Sequence, residues 1–580
     1  MKVPSNQFGF EELRAARRES RALFWAAGLF SAFVNLLMLT GPLYMLQVYD
    51  RVLGSRSVAT LLALTALVVF LYTMMGLLDY ARGRIMARAG ARFQARLDKR
   101  VFDAVMRKNA LGHQDETALA LRDLEAVQRL LTSPALMALF DMPFAPLFLF
   151  GIFLFHPWLG YLAIVGGALL IVLTLTNLLA TRRPLNRANS AVAHAEILSE
   201  QIRSEAEMIE AMGMRASAFA RWQKARTASL SEHMTAADLS GVFTTSGKAF
   251  RLLLQSAMLG LGAYLVLQNQ LTPGAMIAGS ILMGRALAPI EMSIGHWPLF
   301  ARARKGWQVL AQLLSDVPPE PSRMPLPRPN ALLEVIQVTV VPPGEAQASL
   351  KVVNFTVKPG QAVGVIGKSG AGKSSLARAL TGAWRPAGGK IRLDGAALDQ
   401  YDPTILGDLI GYLPQRVELF EGTIAENIAR LSLAPDAAAV VKAAQRADAH
   451  AMIVALPDGY DTKVSANGGR LSGGQIQRIG LARAMYGDPV VLILDEPNSN
   501  LDNDGSQALN RAISTFRKEG KSVLIMAHRP AAIEQCDILL MLEEGRVLSF
   551  GPKEEVLRRM VQNHSEITKQ AGKGEGGGTL

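Results

Sequence analysis

The string Gly367-Lys368-Ser369-Gly370-Ala371-Gly372-Lys373-Ser374 is suited to holding phosphate. It follows the apolar run of residues 362–366 and leads into a helical pattern from Ser375. Its glycines permit a tight turn whose consecutive N–H groups, backed by the helix N-terminus, face an anion. Lys373 then reaches the β- and γ-phosphates of a nucleotide, and Ser374 offers a hydroxyl ligand to Mg²⁺. A second apolar run, residues 490–494, ends in Asp495-Glu496 and so puts two carboxylates where a buried strand emerges. Asp495 is expected in the Mg²⁺ shell and Glu496 as the general base on an attacking water, a role typically worth about 10²- to 10⁴-fold in rate. Between these runs, Leu471-Ser472-Gly473-Gly474-Gln475 opens another helix and makes a second glycine-rich N-terminus available to anions. One phosphate loop cannot use both ends.

Such groups need a rigid scaffold, and the second half of the chain has the pattern of one. Short β-branched runs alternate with helical patterns, which predicts an α/β phosphate-loop NTPase domain over residues 331–565. Ahead of it, residues 316–330 carry Pro318, Pro319, Pro321, Pro325, Pro327 and Pro329 and read as a stiff linker. Residues 566–580 read as a flexible glycine-rich tail.

The first half is different in kind. Of 580 residues, 50% are apolar and only 19% charged, and long uncharged stretches lie in the first 300. Residues 22–49 and 57–78 form two of them, and 142–181 suffices for two more folded back at His156-Pro157-Trp158. Residues 252–284 begin a further pair, reversed at 268–274, with the last helix running on towards His296. The reading is a polytopic α-helical membrane domain with six transmembrane helices over residues 22–315, behind a polar cytoplasmic segment, 1–21, too long and acidic for a signal-peptide start. Basic clusters around Arg14–Arg21, Arg82–Lys108, Arg182–Arg187 and Arg302–Lys305 all flank the same side, placing both termini and the NTPase domain in the cytoplasm. The long polar stretches 79–129 and 182–248 are rich in helix formers and predict helices reaching into that compartment. The net charge of +12 is then explained by flanks facing anionic lipid, with no nucleic acid partner. Cys536 is the single cysteine, which rules out an intrachain disulfide or a multi-cysteine metal centre. Asp141, Arg285 and Glu291 fall within or at the edge of spans, where charge marks either an ion pair or a transport pathway, and Pro143 and Pro146 predict a kink.

Taken together, these motifs resemble the ATP-binding cassette (ABC) transporter family, whose signature is LSGGQ, matched here at Leu471 to Gln475. The resemblance covers nearly the whole chain and implies an exporter-type fold, with ATP and Mg²⁺ bound between the phosphate loop of one subunit and the signature of another. It assigns nucleotide contacts to Gly367, Lys368, Ser369, Gly370, Ala371, Gly372, Lys373, Ser374 and Ser375, and to Ser472, Gly473, Gly474 and Gln475. It also assigns Mg²⁺ and water contact to Gln415 in Tyr412-Leu413-Pro414-Gln415, a D-loop role to Asp502 in Ser499-Asn500-Leu501-Asp502, and a switch role beside Glu496 to His528. One phosphate loop and one signature per chain imply a half-transporter working as a homodimer. The family's usual aromatic residue ahead of the loop has no counterpart in Val338-Thr339-Val340-Val341-Pro342-Pro343-Gly344, which offers no ring to stack on adenine. Within the family, "GPLYMLQVYDRVL" from Gly41, "DMPFAPLFLF" from Asp141 and "GYLPQRVELFEGTIAENIAR" from Gly411 are similar to the inner-membrane ATPase of type I secretion, of the protease- and lipase-exporting kind. That implies an unfolded polypeptide cargo with a C-terminal signal, a periplasmic adaptor, an outer-membrane channel, and no leader-cutting peptidase. The alternative within the same architecture is a lipid or drug exporter. A DNA-associated ATPase bearing the same signature is the distant alternative, and six spans count against it.

Overall fold

The computed structural model describes residues 8–111, 120–320, 323–465, 471–499, 501, 503–527 and 533–559. The chain divides into two compact units, one up to Pro319 apart from residues 109–113, the other from Glu320 onward together with 109–113.

The first unit is helical throughout. Its elements are α1 (Phe8–Glu19), α2 (Arg21–Leu37), α3 (Thr40–Gln47), α4 (Val58–Ala110), α5 (Ala120–Leu131), α6 (Pro134–Asp141), α7 (Ala145–Phe155), α8 (Pro157–Ser204), α9 (Ala206–Ala211), α10 (Arg215–Leu267), α11 (Pro273–Gly295) and α12 (Trp297–Asp316). Among the described residues, six helical stretches are long and apolar enough to cross a membrane: Arg21–Ser55, Val58–Ala110, Pro134–Phe155, Pro157–Ser204, Arg215–Leu267 and Pro273–Met292. The 53 residues of α4 extend about 80 Å at 1.5 Å per residue, against a hydrocarbon core of about 30 Å, so its polar second half must project beyond the bilayer. The same holds for α8 and α10, as the helix-forming composition of those stretches predicts.

Breaks in the spans have local causes. Pro42 has no N–H to give to the preceding turn, and span one is interrupted just before it, between α2 and α3. His156 ends α7 in an extended conformation and accepts a hydrogen bond from the Trp158 N–H at 3.3 Å, with Pro157 as the first residue of α8. At the same end of the bundle, a π-helical turn, Val48–Val52, presents Asp50 to the start of α11. The Asp50 carboxylate accepts from the Gly274 N–H at 2.9 Å and the Thr272 hydroxyl at 2.7 Å. A β-carbon on Gly274 would lie 2.6 Å from Asp50 Oδ1, so only glycine admits this approach.

Span three begins earlier than the hydropathy pattern predicts, at Pro134 rather than 142. Ser133 caps α6, and a 3-10 turn at Met142–Phe144, beside Pro143 and Pro146, forms the expected kink into α7. The uncharged run stops at Asp141 only because sequence alone does not reveal that its charge is met. Arg82 of α4 donates from Nη1 to Asp141 Oδ1 at 2.6 Å and to Ser31 Oγ at 2.9 Å, and from Nη2 to Asp79 Oδ1 at 2.7 Å. Asn35 of α2 donates to Asp141 Oδ1 at 2.7 Å and to the Ser31 carbonyl at 2.8 Å. Three spans are joined by this cluster, in which Arg82 is only 6% exposed and Asp79 stands at the exposed edge. A second pair, Arg251 of α10 with Glu291 of α11 at 2.7 Å, accounts for another intramembrane charge.

The second unit holds a six-stranded sheet in the order β12-β11-β3-β10-β9-β6. Its strands are β3 (Ala362–Ile366), β6 (Ile410–Leu413), β9 (Val491–Asp495), β10 (Ser522–Ala527), β11 (Ile538–Glu543) and β12 (Arg546–Pro552), all parallel except the β12 edge. Strands buried on both faces read as continuous apolar runs, which is why residues 362–366 and 490–494 were visible in the sequence. Val491, Leu492, Ile493 and Leu494 are all fully buried, each contributing about 1.5–3 kcal/mol. An antiparallel sheet, β2-β1-β4-β5, packs beside it and is built from β1 (Leu333–Val340), β2 (Leu350–Val357), β4 (Gly388–Leu393) and β5 (Ala396–Ala397). The remaining elements here are the two-stranded β7 (Gly422–Thr423) with β8 (Lys463–Val464), and helices α13 (Lys373–Leu380), α14 (Pro403–Leu409), α15 (Ile424–Ile428), α16 (Ala437–Arg446), α17 (His450–Val454), α18 (Gly473–Met485) and α19 (Asn503–Lys518). Asp488 ties the unit together by accepting from Arg446 at 2.7 Å, Lys521 at 2.5 Å and Arg328 at 2.9 Å. Burial opposes its charge, but Lys521 and Arg446 outweigh that and hold the carboxyl well below the usual carboxylate range. The end of the Pro-rich segment is therefore fastened to this unit through Arg328.

Replacing Arg82 by Ala leaves Asp141 buried without its cation, which should cost about 3–5 kcal/mol. Arg82→Ala should lower the unfolding temperature of the detergent-purified protein markedly, and adding Asp141→Asn to it should recover part of the loss. Equal melting of wild type and Arg82→Ala would show that the cluster does not hold the three spans.

Candidate functional site

The phosphate loop occupies the centre of the parallel sheet, between the end of β3 and the start of α13. Gly367 sits where a β-carbon would meet the Leu542 carbonyl oxygen at 2.3 Å. Gly372 has φ +99° and packs so closely that a β-carbon would lie 2.7 Å from both the Ser349 carbonyl oxygen and a Leu350 methyl. The loop glycines thus answer to backbone conformation and to close packing on the β2 entry. Lys373 is buried, and its ammonium donates to the carbonyls of Gly367 at 2.8 Å and Lys368 at 3.0 Å. Burial lowers its pKa, opposed by the carboxylates of Glu496 and Asp495. Lys368, Ser369 and Gly370 stand exposed around the loop, and Ala371 is buried beneath it.

Asp495 ends β9, one strand away from β3 across β10, with Met526 as its register partner. Burial pushes its pKa up, opposed by a hydrogen bond with the Ser374 hydroxyl. Its Oδ1 is buried with no hydrogen-bond partner. An orphaned, buried carboxylate oxygen beside a serine hydroxyl fits Mg²⁺, a hard cation that takes oxygen ligands and lowers the cost of the buried charge. Among the described residues no group of three His, Cys, Asp or Glu could hold a metal by itself.

Glu496 adopts φ +49°, in the left-handed region, with its N–H bonded to the Met526 carbonyl at 3.0 Å. A strained conformation of this kind persists only where the surroundings enforce it, and here it turns the chain sharply at the strand end. Gln415 follows β6, the neighbour of β9, and donates from Nε2 to Glu496 Oε2 at 3.0 Å. Lys373, Ser374, Gln415, Asp495 and Glu496 are therefore brought into one cluster. Asp502 and His528 lie outside the described residues; the strand before His528 ends at Ala527, paired with Ile366 just ahead of the loop.

The segment Ser472 to Gln475 caps α18 reciprocally. Ser472 Oγ accepts from the Gln475 N–H at 3.3 Å, and Gln475 Oε1 accepts from the Ser472 N–H at 2.9 Å. Among the described residues no hydrogen bond or ion pair joins this segment to the phosphate loop of the same chain. The sequence reading missed Gln477, which is buried on α18 and donates to the Pro497 carbonyl at 3.2 Å, linking that helix to the residue after Glu496. Its signal was a glutamine in register with the apolar positions Gly480, Leu481 and Ala484. Gly480 is itself tight against Val417 and Leu413, so α18 also abuts the Gln415 segment. Arg378 was missed as well: on α13 it lies over the Trp384 ring at 4.8 Å and acts electrostatically on Asp495.

Gly372→Ala should distort the loop through both its positive φ and its contact with Ser349. Binding of a fluorescent ATP analogue should weaken about tenfold or more while the circular dichroism of the protein is retained. Unchanged affinity would show that the loop tolerates a side chain there.

Known proteins resemble the chain along its length. The ABC transporter family matches residues 350–499, and the ABC transporter transmembrane region matches residues 24–288. A type I secretion system ATP-binding protein, PrsD of Rhizobium meliloti, is 44% identical over 549 residues, covering 94% of each chain. The exotoxin translocation ATP-binding protein PaxB of Pasteurella aerogenes is 28% identical over 95% of this chain and 78% of its own length. A bacterial Atm1-family ABC exporter solved with ATP bound shares the fold, with a TM-score of 0.78 at 22% identity over 95% of this chain and 98% of that one. With six spans and a phosphate-loop cassette in a single polypeptide, the chain belongs to the ABC transporter family.

Proposed function

We propose that this protein is the ATP-driven inner-membrane exporter of a type I secretion system and works as a homodimer. The observation that carries the reading is the end-to-end similarity to a type I secretion ATP-binding protein, at 44% identity over 94% of both chains. Its cargo is an unfolded polypeptide with a C-terminal secretion signal, passed on through a periplasmic adaptor and an outer-membrane channel. The cassette and both termini lie in the cytoplasm, in keeping with the basic flanks on one side of the spans.

The residues take the following roles. The loop from Gly367 to Ser375 cradles the phosphates of ATP with backbone N–H groups, and Lys373 shifts from the loop carbonyls to the γ-phosphate. Ser374, Asp495 and Gln415 would hold Mg²⁺, which supplies charge neutralisation at the β- and γ-phosphates when bound. Glu496 accepts a proton as water attacks the γ-phosphorus. The bond from that phosphorus to the bridging oxygen breaks, and ADP leaves with the electron pair. His528 and Asp502 complete the site from the same chain and the neighbouring one, and Ser472 to Gln475 of the second copy close over the γ-phosphate. Closure of two cassettes about shared nucleotides draws the long helices α4, α8 and α10 together and reopens the spans to the far side.

Glu496→Gln tests the mechanism: ATP turnover should fall at least a hundredfold while nucleotide binding is kept and an ATP-dependent dimer accumulates on size exclusion. Near-normal hydrolysis would remove Glu496 from its role, and a monomer with full ATPase activity would end the dimer reading. For the cargo, ATPase stimulation by a signal-bearing unfolded polypeptide, with none by a panel of lipids and drugs, is the expected outcome.

A further inference from the structure

Arg285 is the one intramembrane charge named from the sequence that the structure leaves unmatched. Asp141 is met by Arg82 and Glu291 by Arg251. Arg285 is exposed, and among the described residues it forms no ion pair. It lies 12 residues into α11, about 18 Å from the start of the helix, which is the middle of a hydrocarbon core about 30 Å thick.

Span six is also the most enclosed of the six, half buried where the α4 span is not buried at all. It is surrounded by α3, α6, α7, α8 and α10. What it leaves exposed are Arg285, Met292 and Gly295, with Ile281, Gly284, Ala288 and Glu291 half-buried between them at helical spacing. On this stripe a β-carbon on Gly284 or on Gly295 would meet nothing within 4 Å, so the face opens onto space. A bare guanidinium facing acyl chains at this depth is strongly disfavoured, and such a group normally faces water or an anion. Further along the same run of chain, α12 exposes Arg302, Arg304 and Lys305, with Asp123 of α5 the carboxylate close to Arg302 and Lys305. Over α11 and α12 the cations Arg285, Arg302, Arg304 and Lys305 outnumber the carboxylates Glu291 and Asp316.

We propose that the open stripe of span six lines the export conduit and that Arg285 engages carboxylate side chains of a polypeptide in transit, selecting acidic, unfolded cargo. This rests on the polypeptide-export reading and specifies its substrate class. An exposed guanidinium with no ion-pair partner among the described residues, on a run of chain where cations outnumber carboxylates, favours a carboxylate-bearing chain over an uncharged one.

The test uses the full-length protein in vesicles of phosphatidylcholine, a lipid with no net charge. Two unfolded peptides of one length and one Gly/Ser framework are compared, with Asp at every fourth position in one and Asn in the other. The readout is the ratio of their half-stimulating concentrations for ATPase activity within each protein, so a change in basal rate cancels. Wild type should favour the Asp peptide about tenfold, Arg285→Lys should keep that preference, and Arg285→Ala should bring the ratio to about one. In a Cys536→Ser, Arg285→Cys variant, a membrane-impermeant maleimide should label position 285, and the Asp peptide should protect it. Equal stimulation of wild type by both peptides, or a preference that survives Arg285→Ala, overturns this inference and leaves the export reading standing. Stimulation by neither peptide overturns this inference alone, because neither carries the C-terminal signal that the export reading requires of its cargo. Failure to label, or protection by added anionic lipid without any effect of peptide, makes Arg285 a lipid contact and likewise overturns the inference.

Discussion

A charge taken out of water must be met by another charge, and both halves of this protein are organised around that constraint. In the spans, Arg82 draws Asp141, Asp79, Ser31 and Asn35 into one cluster, so that three helices are fixed by groups none of them could bury alone. In the cassette, the buried Lys373 and Asp495 are both biased towards neutrality by their surroundings, and each partly offsets the cost of the other. What remains uncompensated there is Asp495 Oδ1, buried without a hydrogen-bond partner.

The cassette concentrates its chemistry by topology. β3, β9 and β6 end at one edge of a parallel sheet, and each delivers a different group: the loop with Lys373, the pair Asp495-Glu496, and Gln415. The buried Gln477 connects the chain after Glu496 to α18, and Gly480 allows that same helix to sit against Leu413 and Val417. A displacement of α18 is thereby felt at both the carboxylate and the glutamine. The cluster around Glu496 and the helix opened by Ser472 to Gln475 are thus joined through both contacts.

How much of this was legible in the sequence depended on how local each feature is. The phosphate loop and the two apolar runs could be read directly, because glycine conformations and doubly buried strands leave their mark on consecutive residues. The contact of Gln415 with Glu496 could not, since it exists only because β6 and β9, separated by some eighty residues, are neighbours in the sheet. The start of span three was misplaced for a related reason. Asp141 interrupts the apolar run, and its counter-charge comes from Arg82, 59 residues earlier. Arg285, by contrast, was singled out by sequence and remained singular in the structure.

The reciprocal cap at the start of α18 has its own consequence. Because Ser472 Oγ and Gln475 Oε1 each accept from the other residue's N–H, the acceptors of both side chains are occupied while the Ser472 O–H and the Gln475 amide N–H groups are left to donate beside the helix dipole. A tip that offers donors and hides its acceptors discriminates by the sign of what approaches it.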